Sequence, residues 1–115
     1  MEMPVYLFTG LLESGKTTLV QEVVNNEDFL DPGVTVLVQC EEGEHSYSQE
    51  FLEENEIVLI EADELEDLNE LFWRRIERDY APMQIMVEYN GMWEMEAFFE
   101  SGMPEDWFVG GVYST

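Results

Sequence analysis

An apolar pentad, Val5-Tyr6-Leu7-Phe8-Thr9, runs directly into Gly10-Leu11-Leu12-Glu13-Ser14-Gly15-Lys16-Thr17, and a helical pattern, KTTLVQEVVNN over residues 16–26, begins at once. The pentad has the unbroken hydrophobicity of a strand buried on both faces. Gly10 and Gly15 bracket the spacing G-x-x-x-x-G-K-[ST], in which glycine backbone freedom lets successive N–H groups point at one anion. The helix starting near Lys16 adds the positive end of its dipole, and Lys16 adds a point charge. Strand, loop and helix converge on a site for phosphate oxygens, a P-loop. Without that chemistry the same residues would be a glycine-bounded turn and a helix cap. The strand before and the helix after favour the phosphate reading.

The residue types assign the roles. Lys16 serves the β/γ-phosphates and counts as catalytic through that charge, Thr17 offers its hydroxyl to Mg²⁺, and Thr18 is placed for the α-phosphate. The expected nucleotide-binding set is Gly10, Glu13, Ser14, Gly15, Lys16, Thr17 and Thr18. Lys16 is also the sole lysine in a chain with 27 acids, four basic residues and a formal net charge of -23. Such a charge repels nucleic acid and anionic membrane surfaces, both of which require basic patches. It also repels free phosphates at long range, so phosphate binding needs a local device helped by a divalent cation.

The rest of the chain alternates strands and helices. Residues 34–39 (VTVLVQ), 57–61 (IVLIE) and 84–89 (QIMVEY) read as buried strands, and DWFVGGVYST holds a fifth, weakened by Gly110 and Gly111. A short helix is expected around 48–54, a long one over 63–79 and another in WEMEAFFES, closed by Gly102. In the long helix Leu65, Leu68, Leu71, Phe72 and Ile76 fall at helical spacing, and Ala81-Pro82 ends it. The pattern predicts an α/β fold with a mainly parallel sheet, right-handed crossovers and P-loop NTPase topology, as one nucleotide-binding domain over 1–115. Its 45% hydrophobic content supplies a core. The chain stops as the fifth strand ends, as expected of a very small domain or of the N-terminal portion of a larger one. The N-terminus lacks a signal-peptide pattern, no stretch has transmembrane length, and the single cysteine, Cys40, excludes an internal disulfide. A soluble cytoplasmic protein is expected.

P-loop chemistry also needs an acid at the end of a neighbouring strand, to hold Mg²⁺ or its waters. Glu88 fits, closing the apolar run Ile85-Met86-Val87 and opening E-x-x-G with Gly91. Its bland counterpart is a solvated carboxylate at a strand terminus.

From Val5 to Gly91, and more loosely to the end, the chain resembles the CobW/HypB/UreG family of P-loop GTPases, especially its CobW-like branch. The likeness rests on YLFTGLLESGKTTLV, on CEEGE after the second strand, where the family has N-E-x-G, and on E-x-x-G after the fourth. The resemblance implies a protein that binds GTP and Mg²⁺, hydrolyses GTP slowly and helps deliver metals or assemble metal cofactors, often as a dimer, with a metalloprotein client as a further partner. It matches Glu41 and Gly43 to a switch-like loop near the metal, and Glu88 and Gly91 to the family's Walker B variant. The implied metal ligands are thus Thr17, Glu88 and Glu41. The likeness breaks twice. The branch's C-x-C-C thiolate motif has no counterpart in IVLIEADELEDL, and its guanine-specifying [NT]-K-x-D motif is excluded because Lys16 is the only lysine.

Three further features have plainer readings beside their functional ones. CEEGEH (40–45) offers thiolate, imidazole and carboxylate groups for a transition metal, but Cys40 and His45 are five positions apart and no second Cys/His pair exists. Arg74, Arg75 and Arg78 are either an arginine finger for a neighbouring subunit or complements to a helix C-terminus and nearby acids. Trp73, Trp93, Trp107 and the Phe98–Phe99 pair read as core or end packing. No catalytic glutamine or water-activating base stands out. Two alternatives to the GTPase reading stay open, a nucleotide-binding or interaction module without catalysis and a small ATP-dependent kinase.

Overall fold

In the computed structural model, which describes residues 3–9, 16–25, 33–40, 48–62, 64–89 and 93–114, the apolar runs become one five-stranded sheet. The elements in chain order are β1 (Met3–Thr9), α1 (Lys16–Val24), β2 (Thr35–Gln39), α2 (Gln49–Glu54), β3 (Ile57–Glu61), a 3₁₀ turn (Leu65–Asp67), α3 (Glu70–Tyr80), β4 (Gln84–Glu88), α4 (Met95–Phe99) and β5 (Trp107–Ser114). The strands lie in the order β3-β2-β4-β1-β5, and every pairing is parallel. The architecture is α/β, consistent with a P-loop-like fold. Strands β2 and β4 are buried at every position, as continuous apolar runs in a doubly covered parallel sheet should be.

Side-chain alternation divides the core into two layers. On one face Phe8, Leu37, Met86 and Ile57 pack with Val20 and Val24 of α1, and with Phe51 and Leu52 of α2. On the other Val5, Leu7, Val36, Val38, Ile85 and Val87 pack with Trp73 and Ile76 of α3 and Phe98 of α4. Inside the first layer buried Gln84 donates its amide Nε2–H to the buried Thr35 Oγ1. Strand β5 holds its full length despite two glycines. The register to β1 slips between Val5 and Tyr6, leaving Gly110 as the extra residue, and a Cβ there would lie 3.1 Å from the Tyr6 ring.

The long helix expected over 63–79 is broken. Glu64 N–H donates to Asp67 Oδ2 at 3.1 Å, Leu68 is extended, and Asn69 caps α3 by accepting from Phe72 N–H at 2.9 Å. Short polar side chains have diverted the backbone from a continuous helix. Leu68 and Ile76 are buried and Leu65 and Phe72 pack against the core as the spacing predicts, whereas Leu71 is 60% exposed and Trp73 is buried beside them. Ala81, at a φ of 43°, ends the helix, and its N–H bonds Glu77 O at 3.1 Å. Arg74 pairs with Glu70 at 3.0 Å and Arg78 with Asp79 at 2.9 Å, both on the exposed helix surface, where such pairs contribute little.

Trp73 centres an aromatic cluster, with ring centroids 5.0 Å from Phe72, 5.8 Å from Trp107 and 6.1 Å from Phe98. Its indole N–H donates to Ser101 Oγ at 3.0 Å. Of the Phe98–Phe99 pair, read as core or end packing, Phe98 is buried and Phe99 is exposed. Gly102 lets the chain leave α4 at a φ of +86°, where a Cβ would lie 2.9 Å from the backbone nitrogen of Glu70. Gly102→Ala should therefore cost about 1–3 kcal/mol, from left-handed strain plus displacement of the α3 N-terminus. A fall in the urea midpoint at unchanged slope checks this.

Candidate functional site

The candidate site forms where the carboxyl ends of β1, β2 and β4 meet. The chain leaves β1 for β2, crossing past β4, and leaves β4 for β5 in the opposite sense, crossing past β1. Strands whose connections run opposite ways form the switch point at which open α/β sheets hold ligands. Backbone bonds fix the three ends against one another. Tyr89 N–H donates to Phe8 O at 2.8 Å, Cys40 N–H to Glu88 O at 3.0 Å, and Ala62 N–H to Gln39 O at 2.9 Å.

Strand register then aligns five side chains in one row, Glu61, Gln39, Glu88, Phe8 and Tyr113, from β3 through β2, β4 and β1 to β5. Alternation puts the row on the face covered by α1, because Leu37, Met86 and Tyr6, two residues back on β2, β4 and β1, belong to that layer. Glu88 is 4% exposed and Gln39 6% exposed. Phe8 is buried and stacks on Tyr113, with centroids 5.0 Å apart and an interplanar angle of 15°. A buried carboxylate thus sits one strand from β1, on the face of the helix that follows β1.

Lys16, Thr17 and Thr18 are the first three residues of α1, as the motif requires. Gly10, Glu13, Ser14 and Gly15 lie outside the described residues, as do Glu41, His45 and Gly91. Cys40 is buried on the opposite face, in the layer of Ala62 and Tyr89, which separates its thiol from the Glu88 row. Among the described residues no group of three or more His, Cys, Asp or Glu side chains is gathered for a metal ion. Gln39 is the site residue that sequence reasoning passed over. Its signal is a fully buried strand, TVLVQ, that closes on an amide.

Behind the row, Tyr89 donates its hydroxyl to Glu94 O at 2.7 Å and meets Phe98 and Trp93 edge-on. Burial raises its phenol above the ordinary value of 10.0, and the charges of Cys40 and Glu94 add to the rise. The folded state therefore keeps this proton where the unfolded chain releases it. The resulting stability is complete below about pH 10 and is lost as pH climbs through the raised folded value. Between pH 9 and 11.5 the melting temperature should fall more steeply for the wild type than for Tyr89→Phe. Parallel curves would remove Tyr89 from the alkaline transition.

Comparison of the chain with protein-family models, with curated proteins and with solved structures found no match.

Proposed function

We propose that this chain is a Mg²⁺-dependent P-loop nucleotide-binding protein that binds GTP and hydrolyses it slowly. One observation carries the reading. The phosphate-loop motif joins β1 to α1, and Glu88 lies buried in the strand beside β1, on the face that α1 covers. A solvated carboxylate at a strand terminus, the bland alternative, would not be 4% exposed.

In this reading the amides of residues 10–15 and the start of α1 hold the phosphates, and Lys16 meets the β/γ oxygens. Thr17 and Glu88 are hard oxygen donors of the kind Mg²⁺ accepts while retaining waters, so they fit the ion directly or through water. Bound there, Mg²⁺ neutralises charge on the transferring phosphoryl group. No aspartate, glutamate or histidine in the row other than Glu88 and the exposed Glu61 is available to take a proton from water, which keeps unaided turnover slow. Guanine preference, a role in metal delivery, a cytoplasmic setting, Glu41 as a ligand, and a homodimer or client partner rest on the family resemblance alone. No helix among the described residues is long and apolar enough to cross a membrane.

The test is titration of a fluorescent GTP analogue with Mg²⁺ and with EDTA, competed by GTP, ATP and pyrophosphate. Mg²⁺-dependent binding displaced by GTP and not ATP is the expected result. Equal displacement by pyrophosphate would leave a phosphate cradle without base selection, the non-catalytic module. Preference for ATP would favour the kinase.

A further inference from the structure

Strand β3 ends the sheet, and its outer edge has no described strand beside it. Glu56 O accepts from Thr35 N–H at 3.0 Å, and Ala62 N–H donates to Gln39 O at 2.9 Å. In a parallel ladder alternate residues bond the same neighbour, so positions 56, 58, 60 and 62 bond β2. Ile57, Leu59 and Glu61 therefore turn their N–H and C=O groups toward the outer edge. Beside this edge a groove of about 590 Å³ opens between α2 and β3. Val34, Leu52, Ile57 and Leu59 give it apolar walls, and Glu53 and Glu56, both exposed, add carboxylates.

We propose that this edge and groove bind an extended basic segment of a different protein, which pairs with β3 as a further strand. Such an edge supplies main-chain bonds to an added strand, and pockets for its alternate side chains select which strand is taken. The side chains of Ile57 and Leu59 lie on the face that α2 covers, so partner side chains opposite them enter the groove. Apolar walls bearing carboxylates fit lysine or arginine, whose aliphatic stem buries while its cationic head stays in water. Gln49 donates its Nε2–H to Glu53 Oε1 at 3.1 Å, one turn away on α2, and orients that carboxylate. A second copy does not fit. Its four Lys and Arg residues sit on helices, Lys16 on α1 and Arg74, Arg75 and Arg78 on α3. Edge-to-edge pairing would also set Glu56 and Glu61 against the same carboxylates of a chain with a net charge of -23. That charge instead draws in a cationic segment and speeds its encounter. The proposal does not depend on nucleotide binding.

The experiment uses the full chain at about 0.15 M salt and a short fluorescein-labelled peptide of alternating lysine and valine, read by anisotropy. Glu53→Gln combined with Glu56→Gln keeps the side-chain shapes, removes both charges and should weaken the peptide about five- to tenfold. Glu96→Gln combined with Glu100→Gln, exposed at α4 over the other face of the sheet, removes the same charge. It should change affinity less than about twofold. Hydrogen exchange gives a readout that bulk charge does not move. Saturating peptide should slow the amides of Leu59 and Glu61 about tenfold or more and leave Val58 and Ile60, which already bond β2, nearly unchanged. A peptide with glutamate in place of lysine should not bind. Equal losses in the two double variants would reduce the binding to net charge and overturn the proposal. So would unchanged exchange at Leu59 and Glu61, or no binding of the lysine peptide. Protection of those two amides in the chain alone that vanishes on dilution would make a second copy the occupant, and would overturn it too.

Discussion

Trp73→Ala should lower the folding stability of this chain by about 3–5 kcal/mol. The indole is fully buried, faces Phe72, Phe98 and Trp107 at centroid distances of 5.0, 6.1 and 5.8 Å, and is tied to Ser101 through its N–H. It joins α3, α4 and the start of β5 into one layer over the sheet. Truncating such a side chain removes its transfer free energy and leaves a cavity that neighbouring rings cannot close, a cost of about 3–5 kcal/mol. A domain of this size has about 5–15 kcal/mol in total, so the loss is a substantial fraction of it. Trp73→Phe keeps part of the volume and gives up the bond to Ser101, so a smaller loss of about 1–2 kcal/mol is expected. Leu71→Ala, two residues away and largely exposed, is the control and should stay within about 0.5 kcal/mol. Urea unfolding followed by circular dichroism ranks the three. Equal midpoints for Trp73→Ala and Leu71→Ala would mean that the layer is not held through this indole.

That pair of neighbours also marks where local pattern stops informing. Helical spacing puts Leu71 on the apolar face with Leu68, Phe72 and Ile76 and leaves out Trp73, whereas the structure exposes Leu71 and buries Trp73. Asp67 and Asn69 bond the backbone and break the helix, yet Leu68, Phe72 and Ile76 keep to the core side as their spacing predicts. Where the signal was local and unbroken it held. The third strand runs over 57–61 as read, α1 starts at Lys16 as the motif implies, and Gly102 closes the turn after α4. Gly110 was counted against β5, yet its missing side chain is what admits the Tyr6 ring beside it. Strand order is a long-range property that no window of sequence contains. Hence Glu88 was legible as an acid at a strand end, but its place beside Phe8 and Gln39 was not. Gln39 escapes a local reading for the same reason, since its place between Glu61 and Glu88 is visible only across strands.

Lys16→Ala should weaken binding of the GTP probe by about 30–100-fold or more while leaving the melting temperature within about 2 °C of wild type. A charge-assisted contact to phosphate contributes about 1.5–3 kcal/mol, or about 13- to 160-fold, which brackets that range, and two features of this chain favour its upper part. The first is compensation, or its lack. The other three basic residues, Arg74, Arg75 and Arg78, all belong to α3, which packs on the face of the sheet opposite α1, so no cation of the same chain replaces Lys16. The second is the net charge of -23, whose field repels a polyphosphate more effectively at low salt. The deficit of Lys16→Ala should accordingly be larger at 20 mM than at 300 mM salt, about the direction expected from a shrinking Debye length. Glu88→Gln separates the ion from the anion. It preserves the buried shape and removes one carboxylate charge, so affinity in EDTA should hold or rise while the gain on adding Mg²⁺ shrinks. The two variants thus fail in different columns of one titration, Lys16→Ala with or without Mg²⁺ and Glu88→Gln only with it. Identical behaviour of both variants would place the carboxylate outside the ion's reach, and binding undiminished in Lys16→Ala would mean that GLLESGKT is a turn and a helix cap.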